Sequence, residues 1–230
     1  MGEKLIYNSA DLVLAITPEI AHYVKNIDPN CKVKVIYNGY DPPDDINNDV
    51  HLKKVGLQEI LRKCEAKKKF IWVGTPAPWH GLEKILQIIH QIDNACLFLV
   101  GDIIKIKQLN IPSELINSEK IYLLGKKSPH EIRILYSYCD FAFGAFGLEI
   151  KNMTEACPLK VREYLYYGLP VIIGSKDPQL DHLPFIHRYN NIYDLNKFID
   201  YNFDKKIISN YAKNNLSWKI IFQYIFNSKH

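Results

Sequence analysis

The chain has 230 residues, 47% of them apolar and 23% charged, with a formal net charge of +4. That length falls between one and two domains and can bury roughly 70% of the unfolded surface. No run approaches the ~18–20 apolar residues that span a bilayer, and the charge is too small and too poorly interleaved with aromatics for nucleic acid.

Strand-like apolar runs alternate with amphipathic stretches from end to end, the βαβα pattern of a parallel sheet covered on both faces. The pattern predicts strands at Leu12–Ile16, Val33–Tyr37, Phe70–Val73, Cys96–Val100, Ile121–Leu124, Phe141–Phe143 and Val171–Ile173, with a late one near Phe185–Ile186. Helices are expected at Pro18–Lys25, around His51–Cys64, and at Leu82–Gln91, Pro129–Tyr138, Pro158–Tyr167 and Ile192–Asn202. Pieces of 204–227 complete the set. Ser128-Pro129-His130-Glu131 has the N-cap, Pro and acidic residue that open a helix. Asp41-Pro-Pro-Asp-Asp-Ile-Asn-Asn-Asp49 breaks the rhythm and reads as a linker or exposed loop. Two prolines outside a strand end make it a poor metal platform.

Five scattered cysteines, 31, 64, 96, 139 and 157, form no C-x-x-C. Cys96 and Cys139 read as small core residues, and Cys157 has no nearby His to activate it. Glu3 and Asn8 interrupt any signal-peptide layout at the start, so a cytoplasmic protein is expected. Lysine clusters at 67–69, 105 with 107, and 126–127 suit a solvated surface. Their sharper reading is contact with anionic ligands or an acidic membrane face.

The most informative stretch is 155–174. Glu155 and Glu163 lie eight positions apart, Pro158 marks a helix start, and Gly168 closes that helix before a buried strand. Free N–H groups at such a helix start suit phosphate. A carboxylate on each side suits polyols flanking it, the layout of a nucleotide-sugar.

This segment resembles the E-x7-E signature of retaining family 4 glycosyltransferases with the GT-B fold. Six fragments before it follow that family's order: Asn8–Thr17, Val35–Asp41, Phe70–Gly74, Trp79–Glu83, Leu97–Asp102 and Ile121–Gly125. Leu216–Lys219 closes the chain in the same way. The resemblance implies an α/β, Rossmann-like parallel sheet forming the C-terminal half of a GT-B fold. It would comprise a remnant of the N-terminal acceptor domain and hinge at 1–40, a nucleotide-sugar-binding domain at 41–205, and C-terminal helices at 206–230 returning towards the N-terminal domain. A separate N-terminal domain or subunit would then be a partner.

The implied activity is transfer of a hexosyl unit, with retention and without metal or other cofactor, from a UDP- or GDP-linked sugar to a glycan or lipid-linked acceptor. Glu155 would face the transferred sugar as the catalytic carboxylate, and Glu163 would accept from the ribose hydroxyls. Lys160 and the amides at Leu159 and Lys160 would meet the diphosphate. So would the loop carrying Gly74, Thr75, His80 and Gly81, with His80 gaining positive charge below about pH 6.5. Thr75 and His80 stand where the commonest family pattern has Arg and Lys. Gly147 would let the backbone approach the donor closely, and Gly101, Gly125 and Lys126 at further strand ends would border the base. No G-x-G-x-x-G is present, against a nicotinamide or flavin enzyme. Two other readings stay open: a GT-B nucleotide-sugar epimerase, and a non-catalytic nucleotide-sugar-binding subunit or sensor.

Overall fold

The computed structural model describes residues 2–43 and 55–227, leaving most of the acidic linker run and the start of the expected 51–64 helix outside the described residues. Its strands are β1 Val13–Ala15, β2 Val33–Val35, β3 Lys68–Val73, β4 Ala95–Val100, β5 Ile121–Gly125, β6 Phe141–Phe143, β7 Val171–Ile173 and β8 Ile186–Arg188. The helices are α1 Gly2–Ser9, α2 Pro18–Ile27, α3 Val55–Lys63, α4 Leu82–Gln91, α5 Ile103–Lys107 and α6 Ser113–Ile116. They continue with α7 Pro129–Tyr138, α8 Leu159–Tyr166, α9 Ile192–Asp200, α10 Lys205–Asn215 and α11 Trp218–Asn227.

Six strands form one parallel sheet in the order β5-β4-β3-β6-β7-β8, while β1 and β2 pair as a separate two-stranded parallel sheet. Side chains alternate across the main sheet because successive strand residues point to opposite faces. Phe70, Trp72, Leu97, Leu99, Phe143 and Ile172 pack on one face with Ile85 and Leu86 of α4 and Leu195 of α9. Ile71, Phe98, Val100, Ala142 and Val171 pack on the other with Leu135 of α7, Val161 and Leu165 of α8, and Ile208 of α10. The expected α/β Rossmann-like sheet is therefore the fold.

Local chemistry accounts for the boundaries. Ser128 and Glu131 form a reciprocal capping box at the start of α7. Thr17 caps α2 by accepting from the Ile20 N–H. Pro158 sits one residue outside α8, as its N-cap, rather than at the first helical position. Gly168 follows α8 with φ +81°, where a Cβ would lie 2.5 Å from the Lys205 carbonyl oxygen. The periodicity did not foresee α1, α5 or α6. The latter two span five and four residues, too short to show a helical period, and α1 buries none of its residues.

The start of the last helix meets residues 39–41. The Leu216 carbonyl accepts from Tyr40 N–H, the Trp218 N–H donates to the Asp41 carboxylate, and Ile221 lies against Gly39. Cys96 and Cys139 are buried in the core, and all five cysteines are free. Among the described residues no helix is long and apolar enough to cross a membrane.

Candidate functional site

The sheet order reverses direction between β3 and β6, because the chain leaves β3 for β4 on one side and β6 for β7 on the other. Ligands of open parallel sheets bind outside the carboxyl ends of the strands at such a switch point. Gly74 follows β3 there, with α8 entering alongside. A Cβ on Gly74 would lie 2.9 Å from the Lys160 Nζ, and the backbone there has φ +155°, which L side chains rarely adopt, so glycine suits this point of the loop.

Lys160 is the most unusual group in the crevice. Its Nζ is buried and has no hydrogen-bond partner among the described residues; it lies 4.1 Å from the centroid of the Trp72 ring. Burial pushes the ammonium down to about 7, and the nearby Glu163 carboxylate offsets this only in part. One helical turn on, Glu163 accepts from the Tyr136 hydroxyl at 3.0 Å. Burial pushes the Glu163 carboxyl up, against the Tyr136 hydrogen bond and the Lys160 charge. Trp72 also carries His80, edge-on at 5.4 Å between ring centroids. Burial, followed by the charges of Lys160 and Lys151, pushes His80 down to about 4. The expected gain of charge below pH 6.5 is thus corrected: His80 is neutral through the physiological range, and its buried Nδ1 has no partner among the described residues.

Two loops close the crevice from the β6 side. Gly81, at φ +63°, ends the Pro78–His80 turn and starts α4; a Cβ there would lie 2.5 Å from the Phe146 backbone. The contact is held by Phe146 N–H to the His80 carbonyl and by Gly147 N–H to the Trp79 carbonyl. On the β4 side, Gly101 N–H donates to the Gly125 carbonyl at 3.1 Å. A cleft of about 340 Å³ runs past Gly74, Thr75, Gly101, Asp102, Lys105 and Lys126. Thr75 is exposed there, and Lys126 pairs at 2.8 Å with Asp102, which caps α5.

Glu155 stands apart from this chain of contacts. It is buried and receives Lys176 Nζ at 2.8 Å and the Glu19 N–H at 2.9 Å. Burial opposes its ionisation, but these donors outweigh it and hold the carboxyl below its ordinary range. Leu159, the first residue of α8, is half exposed. Cys157 accepts from the Asn38 N–H through Sγ, and burial pushes its thiol up to about 11, which makes it unreactive. Contacts invisible in the linear pattern complete the frame: Trp72 and Tyr136 beside the Lys160–Glu163 pair, Lys176 and Glu19 on Glu155, and a buried Arg162–Asp177 pair. For most of these no sequence signal exists, since each joins distant segments.

The family model described as glycosyl transferases group 1 matches residues 57–183. No curated protein sequence matches the chain. Among solved structures, HepE from Anabaena in complex with UDP-glucose superposes with a TM-score of 0.67 at 17% identity, over 97% of this chain and 65% of that one. The apo form of the lipopolysaccharide outer core galactosyltransferase WaaB gives 0.65 at 16% identity, over 95% and 61%. The chain thus spans less than two thirds of the length of these proteins, with which it shares its fold. The matched segment runs from α3 past β7 and includes every residue gathered around Lys160; the chain belongs to the glycosyl transferases group 1 family.

Proposed function

We propose that the crevice at the β3/β6 switch point binds a nucleotide-sugar, and that the chain supplies the donor side of a retaining, metal-independent hexosyl transfer to a glycan or lipid-linked acceptor. The observation that carries this reading is Lys160: a buried ammonium without a hydrogen-bond partner among the described residues, in the first turn of α8 and against the Gly74 backbone. A diphosphate there would meet the free N–H groups of the helix start together with the ammonium. Both act on charge that grows on the departing phosphate oxygen as the anomeric bond breaks. Neutral His80 would add a hydrogen bond but no charge. Glu163, beyond the helix start, suits the ribose hydroxyls, and the ionised Glu155 suits hydroxyls of the sugar. HepE was solved with UDP-glucose, which makes a uridine donor the first to test.

Calorimetric titration of the chain with UDP, GDP, UDP-glucose and GDP-mannose tests the reading. Glu163→Ala should weaken the bare nucleoside diphosphate and its sugar-bearing form alike, by about 1.5–3 kcal/mol or roughly 10- to 150-fold. Glu155→Ala should weaken only the sugar-bearing form. Affinity for none of the four ligands would sink the proposal. Release of nucleoside diphosphate with an acceptor, and a product keeping the donor's anomeric configuration by NMR, would test transfer and retention.

A further inference from the structure

Glu155 and Glu19 are 136 residues apart in sequence, yet each carboxylate accepts from the other residue's backbone. Glu19 N–H donates to Glu155 Oε2 at 2.9 Å, and Glu155 N–H donates to Glu19 Oε2 at 2.8 Å. The Glu19 carboxylate also accepts from Thr154 N–H at 3.0 Å and from the Thr154 hydroxyl at 3.1 Å. Its position in the first turn of α2 places its N–H among those with no partner inside the helix. Glu155 therefore acts as an external cap of α2, while Glu19 grips the main chain that carries Glu155. The remaining Glu155 oxygen receives Lys176, and Lys176 is tied to the same backbone by Ala156 N–H to its carbonyl and by its own N–H to the Thr154 carbonyl.

We propose that Glu19 is a positioning residue of the sugar subsite: its carboxylate fixes the Thr154–Glu155 backbone, and thereby the direction in which the Glu155 carboxylate meets the donor's sugar. This rests on the assignment of Glu155 to the sugar. Each Glu155 oxygen accepts one clasp or lysine hydrogen bond and keeps a lone pair, so a pair of neighbouring hydroxyls can be read without breaking the clasp. Without the Glu19 carboxylate, three donors at residues 154–155 lose their acceptor and the loop can rotate. A misdirected carboxylate loses the geometry on which a two-hydroxyl contact depends. Sugar recognition on the donor half is then set partly by the segment that precedes the hinge, a contribution that neither half contains alone. The nucleoside diphosphate, held by Lys160 and Glu163 on α8, does not touch the clasp and should not sense its loss.

The test is a double-mutant cycle on the full chain, titrating UDP, GDP, UDP-glucose and GDP-mannose against wild type, Glu19→Ala, Glu155→Ala and the double variant. Glu19→Ala should leave the bare diphosphate within about twofold of wild type and weaken its sugar-bearing form roughly 5- to 20-fold. The double variant should bind no more weakly than Glu155→Ala alone, because Glu19 acts through that carboxylate. Glu19→Gln, which keeps one acceptor oxygen, should fall between wild type and Glu19→Ala. Equal losses on both ligand forms would show that Glu19 supports the fold only. Full additivity in the double variant, or no loss on the sugar-bearing form, would overturn the proposal while Glu155→Ala still discriminates. A Glu155→Ala variant that does not discriminate the two forms would remove the sugar assignment itself, and this inference with it.

Discussion

At the scale of single residues, Lys160 has the clearest physical signature. Its ammonium at about 7 lies well below its ordinary value of 10.5. The unfolded chain holds the proton up to the higher value, so the folded state is penalised in full below pH 7 and relieved as pH rises from about 7 to 10.5. Lys160→Met should therefore raise the melting temperature at pH 6–7, by an amount on the order of 2–4 kcal/mol in stability, with the advantage shrinking towards pH 10 in a series of thermal melts. A diphosphate beside Lys160 would draw its proton back. Nucleoside diphosphate binding should then take up a proton and weaken as pH rises above about 7, which calorimetry in buffers of different ionisation enthalpy measures directly. Binding that is flat between pH 6 and 9 would place the diphosphate elsewhere. Tyr136 gives a second handle. Its hydroxyl, together with the Lys160 charge, stabilises ionised Glu163, so Tyr136→Phe should raise the Glu163 carboxyl further. Affinity should drop by about 0.5–1.5 kcal/mol, more at acidic than at alkaline pH, because the variant's Glu163 takes up its proton first.

Between elements, the decisive joint is the buried Arg162–Asp177 pair. Both terminal guanidinium nitrogens reach the Asp177 carboxylate, and Arg162 also donates to Gln179 and, through Nε, to the Asn38 carbonyl. One side chain thus ties α8 to the loop after β7 and to the Asn38 backbone. Both partners are almost fully buried, at 0% and 1% exposure, so removing either leaves a charge with no water to solvate it. Arg162→Met should cost about 3–5 kcal/mol, and Arg162→Met with Asp177→Leu distinctly less than the sum of the single losses, because the orphaned charge is then gone as well. Denaturant titration of the four proteins of the cycle gives these differences. A purely additive cycle would mean that the pair carries no coupling.

For the molecule as a whole, the segment that carries β1 and β2 is unlike the rest. β1 and β2 make an isolated two-stranded parallel sheet, an arrangement ordinarily stable only when covered on both faces. Leu5, Ile6, Leu12 and Leu14 are 45–69% exposed. Apolar patches of this kind mark interfaces. The chain should self-associate or bind a hydrophobic dye, and Leu5→Glu with Leu12→Glu should reduce both without changing nucleotide affinity. A dye-silent monomer by light scattering would show that this face needs no cover.

Local patterns in the chain determined much of this. Alternation of apolar strands with amphipathic helices specified a parallel α/β sheet, because burial on both faces demands that composition. Ser128 with Glu131, and Gly168, marked helix ends, because caps act within a turn or two of the chain. The Glu155–Glu163 spacing and Pro158 likewise marked the segment that became α8 and its approach. Tertiary structure alone decided what those residues experience. Burial of Lys160 against Trp72 and Gly74 lowers its proton affinity, and the same burial keeps His80 neutral, because desolvation depends on neighbours brought in from β3 and the 78–80 turn. The meeting of Glu19 with Glu155, like that of Arg162 with Asp177 and Asn38, depends on how distant elements dock. No spacing along the chain encodes such a contact: it is fixed by packing, not by local propensity.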